Sequence, residues 1–463
     1  MESIRIGPKY RRSYFIALAL AFLILLTAGI LWHLRNQAWV EEVNFLRESI
    51  FDNHLLFDSY TLYNWQIPNE VMAHADDVRR CINVEADALI ARIPWMSARE
   101  ITFSLPRLIA VLKDGHSAID PRLWQRTVTP FFFRYLTDGY YFYAYYDNGF
   151  PKRETEIALI GSRLVAVNGH APEKVEDGYM QLNGCENAYL ARANGYLSLM
   201  SPAMLTMMGL HDSFDTAPEY TLETMDGQVV TITPSGLAYG PVPTAAYSAS
   251  PGYQERVILA KNNPYNRANV FKTGYEVNYL DGDTVLHFRC YNFSGPNVHQ
   301  MTPDLEAALT DNPQLKRIIV DVRGNSGGYG DVAEAAFCAI RDGRPDLWQQ
   351  GEFYVATDGG SYSASIYMAN WLRTLCGATI VGEPTGQGLW FFFGAREIEL
   401  PKSGLTVYLS GFHTTFKMPD TMYIDPEGLF DGADAIYPDV LIERTIEEYM
   451  ADIDPVLDWI LAQ

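Results

Sequence analysis

The chain has 463 residues, 48% apolar and 13% aromatic, with 35 Lys+Arg against 56 Asp+Glu and a formal net charge of −21. This apolar content can bury a core large enough to offset backbone entropy, so the chain is not disordered, and its length predicts two or three domains. The acidic balance, with no segregated basic patch, argues against nucleic acid as a partner; five scattered cysteines without a CxxC pair or Cys/His cluster imply neither a zinc site nor a disulfide framework, and read as mostly buried thiols.

From Tyr14 to Trp32 runs YFIALALAFLILLTAGILW, nineteen residues in which Thr27 is the one conventionally polar side chain. A helix of that length crosses roughly 30 Å of hydrocarbon. Arg5, Lys9, Arg11 and Arg12 precede it and Glu41 and Glu42 follow, so the positive-inside bias puts the amino terminus in the cytoplasm and the rest outside. The alternative is a cleaved signal peptide and a secreted product; the length of the apolar run and the lack of a small-x-small site favour a retained single-pass anchor through residues 14–32.

Residues 36–120 have helical spacing, in VEEVNFLRESIF and EADALIARI, and Ser97 with Glu100 stands at capping-box distance. This helical lobe ends in KDGHSAI, residues 113–119, a short polar turn able to hold His116 as a general base; the plainer reading is a structural histidine. His413 is the fallback.

Residues 121–270 change to short aromatic and β-branched runs with turn signals at Asp138-Gly139, Asp147-Asn148-Gly149, Asn168-Gly169 and Asp226-Gly227, which predict a mainly β region. The Tyr/Phe-rich stretch 131–146 reads as strand packing, with a ligand-binding aromatic face as the alternative.

From 271 to 463 strand-like and helical segments alternate, predicting an α/β layered core. The apolar run Ile318–Val322 leads into VRGNSGGYG, residues 322–330, whose glycines let backbone N–H groups approach an oxyanion or phosphate; an ordinary strand-to-helix turn reads the same way. DGGSYSASIYMANW, residues 358–371, places Ser361, Ser363 and Ser365 where a helix begins, as N-caps or as a nucleophile with an adjacent N–H.

In this order KDGHS, IIVDVRGNSGG, SYSASIYMA, TIVGEPTGQG and IYPDVLIERTIEEYMADIDPVLDWIL resemble the carboxy-terminal processing (tail-specific) and tricorn-core serine peptidases, over roughly residues 100 to 463. The resemblance implies a crotonase-like core and an oxyanion turn at Asp321, Arg323, Asn325, Gly327 and Gly328. It makes Ser363 the nucleophile and Ala364 N–H the second oxyanion donor. Processing peptidases of this type place a general-base lysine about two dozen residues past the serine; here that stretch is GEPTGQG, and no lysine lies between Lys316 and Lys402. The tricorn-like branch instead draws a histidine from upstream, similar to His116. Glu383, Asp425, Glu427 and Asp431 remain open as its acidic partner, and Ser117 as an aid to orientation. GSRLVAVNGHAPEKV, residues 161–175, resembles part of a PDZ-like module, with an ordinary hairpin as the alternative.

The expectation is therefore a membrane-anchored serine peptidase with Ser363 and His116 catalytic, Gly327, Gly328 and Ala364 at the oxyanion, a peptide or protein substrate, and no metal or organic cofactor. The competing class is a silent peptide- or ligand-binding protein that keeps the fold. A non-peptide ester or amide substrate would use the same residues.

Overall fold

In the computed structural model, residues 8–58, 69–120, 127–146, 151–239, 257–259, 274–295, 297–389, 391–413 and 434–463 are described. Of the expected features, Asp147-Asn148-Gly149, Asp425, Glu427 and Asp431, and the side chain of His413, lie outside them.

Helix α1 runs unbroken from Pro8 to Asn53. Its first half is long and apolar enough to cross a membrane and is exposed from Ile16 to Leu34. In the second half Trp39, Val43, Leu46 and Ile50 fall on one stripe and are buried. They pack against α2 (Asn69–Arg92), whose Val78, Ile82, Ala86 and Leu89 keep the same spacing. Ser97 and Glu100 form the expected reciprocal cap on the helix Ala98–Ser104.

β1 (Ala118–Ile119) follows the His116 turn. The middle region contains an antiparallel sheet of β2 (Phe131–Leu136), β3 (Gly139–Tyr146), β4 (Arg163–Val167), β5 (Tyr220–Glu223) and β6 (Val229–Ile232). Asp138-Gly139 and Asp226-Gly227 make the predicted hairpins. Phe131, Phe133, Tyr140, Phe142 and Tyr145 are buried against one another, so the aromatic run is core and not a ligand face. The expectation of a mainly β region needs correction: α3 (Glu173–Leu182), α4 (Ala188–Met200) and a short helix at Pro202–Met207 cover this sheet and connect it to the lobe. Asn187 and Ser201 cap the last two, a local signal that the turn-based reading passed over.

The α/β core is a six-stranded sheet in the order β7 (Tyr275–Leu280), β8 (Val285–Cys290), β9 (Arg317–Asp321), β10 (Phe353–Thr357), β11 (Thr379–Gly382) and β14 (Val440–Leu441), parallel except for β7. β9 and β10 are covered on both faces, as their near-continuous apolar sequences require. Helices α5 (Gly330–Gly343) and α6 (Ala364–Cys376) follow β9 and β10 and pack on one face of the sheet. β12 (Phe392–Glu399) and β13 (Thr406–His413) form a hairpin that extends β1 into a third sheet. Among the described cysteines Cys185, Cys290 and Cys376 are buried thiols, whereas Cys81 is exposed.

Candidate active site

Two consecutive β-to-α crossings build one wall of the site. After β9 the chain turns through Gly324–Tyr329, and after β10 through Asp358–Ser363, so both turns meet at the carboxyl ends of adjacent parallel strands. Asp321 anchors the first turn: it is buried, pairs with Arg289, and accepts from Arg323 Nη2 at 2.7 Å. Burial alone would raise its pKa, but the two guanidiniums hold it well below the usual carboxylate range. Asn325 Nδ2 donates to the Cys290 carbonyl at 3.1 Å, and its Oδ1 accepts Gly327 N–H at 2.8 Å. This revises the expected oxyanion set, since the Gly327 amide is already committed. The amides of Gly328 and Ala364 have no acceptor among the described residues. Gly327 still has a steric role: at φ +97° a Cβ there would lie 2.5 Å from Ser363 Cβ and 2.9 Å from Ala364 N.

The three serines of the second turn separate by partner. Ser361 Oγ donates to the Val322 carbonyl at 2.9 Å and Ser365 Oγ to the Tyr362 carbonyl at 2.8 Å, both buried. Ser363 precedes α6 at φ 58°, ψ −121° and caps nothing with its side chain. A side-chain-bearing residue at that φ is strained, a conformation that persists only where its surroundings impose it. Its hydroxyl lies 3.0 Å from His116 Nε2, 247 positions away in the chain.

His116 is held from all sides. Its N–H donates to Asp114 Oδ1 at 3.0 Å, its ring stacks on Phe391 with centroids 5.5 Å apart, and Nδ1 lies 3.0 Å from the Tyr362 hydroxyl. That hydroxyl donates to Glu186 Oε1 at 2.8 Å. A phenol has one proton, so with it given to Glu186 the oxygen accepts from Nδ1–H, which leaves the Nε2 lone pair facing Ser363. Burial lowers the His116 pKa below its usual 6.5 despite the nearby Asp114 charge. Asp114 is in turn fixed by His54 Nε2 at 3.0 Å and by Ser117 Oγ at 2.6 Å. Ser117 thus points to Asp114 and receives Ser410 N–H at 3.0 Å, instead of facing the reacting atoms.

Glu186 Oε1 also accepts Gln387 Nε2 at 2.7 Å and Gly115 N–H at 3.2 Å, whereas Oε2 is buried with no partner among the described residues. Burial, then the charge of Asp114, push its carboxyl up to about 7. Gln387 Oε1 accepts Ser363 N–H at 2.9 Å. The position in GEPTGQG where the resembling processing peptidases carry a lysine therefore touches the serine backbone with a neutral amide. The carboxyl of Glu383, an expected candidate for the acid, is pushed up to about 7, chiefly by burial and then by the like charge of Asp358, with Arg134 acting against them. Asp114, His116 and Glu186 offer ligand atoms within 4.8 Å of one another, a spacing compatible with a metal ion. In the arrangement seen, Nδ1 and Asp114 Oδ1 are both engaged in hydrogen bonds.

Glu186, Tyr362, Gln387, Phe391, Asp114 and His54 were not singled out from sequence. Asp114 and Tyr362 lie inside the quoted motifs KDGHS and SYSASIYMA, and Gln387 fills the lysine gap. Glu186 sits in NGCENAY with no pattern to mark it.

No family model matches the chain, and no curated protein matches it. Among solved structures it is similar to mature CPAF complexed with lactacystin, at 12% identity over 93% of this chain and 98% of that one, with a TM-score of 0.55. A structure of mature CPAF gives 11% identity over 92% and 96%, with a TM-score of 0.54. The tricorn protease is a looser match, with 14% identity over 92% of this chain and 36% of that one and a TM-score of 0.42. At these identities the likeness is one of fold, and it extends over nearly the whole chain.

Proposed function

We propose that this chain is a serine peptidase in which His116 takes the proton of Ser363 as its Oγ attacks a peptide carbonyl. The single observation that carries the reading is the 3.0 Å separation between Ser363 Oγ and His116 Nε2, with a strained serine before a helix and no capping duty for its hydroxyl. The oxygen of the tetrahedral intermediate is received by the N–H groups of Gly328 and Ala364, the latter at the amino end of the thirteen-residue α6. Collapse breaks the C–N bond, His116 returns its proton to the leaving amine, and an ester on Ser363 remains. Water then attacks that ester as His116 accepts its proton, and collapse of the second tetrahedral intermediate breaks the acyl–Oγ bond while His116 returns that proton to Ser363, releasing the acid and restoring the hydroxyl.

Tyr362 and Glu186 serve as positioning residues. Together they hold the Nδ1–H tautomer and favour the imidazolium that forms during attack. Gln387 ties the Ser363 backbone to the same carboxylate, so nucleophile and base share one support. The six-stranded sheet corresponds to the crotonase-like core, the β2–β6 region to a PDZ-like module, and the apolar part of α1 to a retained single-pass anchor with the body on the extracytoplasmic side.

Labelling with a fluorophosphonate probe tests the reading. The wild type is expected to react and Ser363→Ala not to. A folded wild-type protein that takes no label would sink the peptidase and leave a peptide- or ligand-binding protein on the same fold.

A further inference from the structure

We propose that this chain acts on polypeptides tethered to its own membrane and cuts them only beyond about nine residues from the bilayer surface. The inference rests on the readings of α1 as an anchor and of Ser363 as a peptidase nucleophile, and it concerns how the two are joined.

No linker separates them. α1 passes from its exposed apolar half into the core without a break, and three attachments fix it there. At the lower end Arg35 Nη1 donates to the Ile93 carbonyl at 3.2 Å, and Arg35 also reaches the Met96 carbonyl. Midway, the buried Glu42 carboxylate accepts the N–H groups of Lys402 and Ser403, the latter at 3.0 Å, at the tip of the β12–β13 hairpin. At the upper end the next residue, His54, bonds Asp114, whose other oxygen holds the His116 amide. The bilayer-facing helix therefore ends two hydrogen bonds from the general base.

A second observation marks the bilayer surface. Trp95 is 86% exposed beside the carbonyls that Arg35 engages, and Trp32, three residues before Arg35, is 51% exposed. Two tryptophans and an arginine at one level, where the apolar run stops, match an interfacial belt. From Trp32 to Asn53 the helix rises about 32 Å at 1.5 Å per residue. An extended substrate gains about 3.4 Å per residue, so about nine residues must separate its own membrane segment from the scissile bond. Confinement to the same surface raises the effective concentration of tethered chains over free ones, while the rigid helix denies access to bonds nearer the lipid.

The test uses the full chain in phosphatidylcholine vesicles. One cleavable sequence is presented on a membrane-anchored peptide behind spacers of about five or about twenty residues, and also as a free peptide. The long spacer is expected to be cut at least about tenfold faster than the short one. Inserting seven helix-forming residues between Leu34 and Arg35 adds two turns, about 10 Å, and should raise the minimum spacer by about three residues without changing cleavage of the free peptide. Equal cutting at both spacers, or a threshold that the insertion does not move, overturns the proposal. If the protein fails to float with vesicles, or the free peptide stays intact, the proposal falls for a different reason: the first outcome removes the anchor and the second the peptidase.

Discussion

The two sides of the site are built differently. The Ser363 side rests on two neighbouring strands and their following turns, stabilised by a buried sheet, by short-range bonds from Asp321, Asn325 and Ser365, and by Ser361, which ties the second turn to Val322 of the first. The His116 side is assembled from four distant places: the end of α1, the 113–119 turn, the Glu186 turn before α4, and Tyr362. The first is a property of the core, so damage there should appear as lost stability. The second is a polar network on titratable groups, so damage should appear as lost rate and altered pH dependence in a folded protein.

The sharpest test of that contrast is His116→Ala, expected to lower kcat/KM by about 10⁴ with an unchanged urea midpoint. A comparable loss of stability would mean that the histidine side is also structural. Asp321→Asn should do the reverse, removing the buried carboxylate shared by Arg289 and Arg323, of which Arg323 keeps Asp454, at a cost of about 3–5 kcal/mol in denaturant unfolding. Asp321 is held ionised in the fold, so its contribution is present above the ordinary carboxylate pKa and is lost as pH falls through its depressed folded value.

Gly327→Ala probes the seam between the sides, since the added methyl meets Ser363 Cβ and Ala364 N. Peptidase assays should show a loss of about 10² in kcat, because a displaced serine or oxyanion amide affects the transition state directly. Tyr362→Phe removes the hydroxyl between Nδ1 and Glu186; about a tenfold fall in kcat/KM is expected, with thermal unfolding little changed. The smallest effect is on pH. In the proposed mechanism His116 acts as the neutral imidazole, and burial lowers its pKa below 6.5, so the acid limb of kcat/KM should fall below that value in the wild type and move in Tyr362→Phe. An acid limb identical in both proteins would argue against the tyrosine as a positioning residue.

The order of the pieces along the chain was readable because each has a local cause. An uninterrupted apolar run makes α1, a capping box starts Ala98–Ser104, and alternating strand and helix patterns make the core sheet. The motifs placed Ser363 and His116 as candidates by resemblance, and composition set the surface charge. Tertiary structure decided what those side chains meet. Whether Ser363 is a cap or is free for the histidine depends on a backbone φ imposed by packing against Gly327, and which glycine amide stays open depends on where Asn325 points. Glu186 entered the site through a turn whose sequence carries no pattern, because hydrogen bonds between segments far apart in the chain obey distance and not spacing. Periodicity and propensity act over a few residues and are written locally; a site drawn from six segments exists only once the chain has closed on itself.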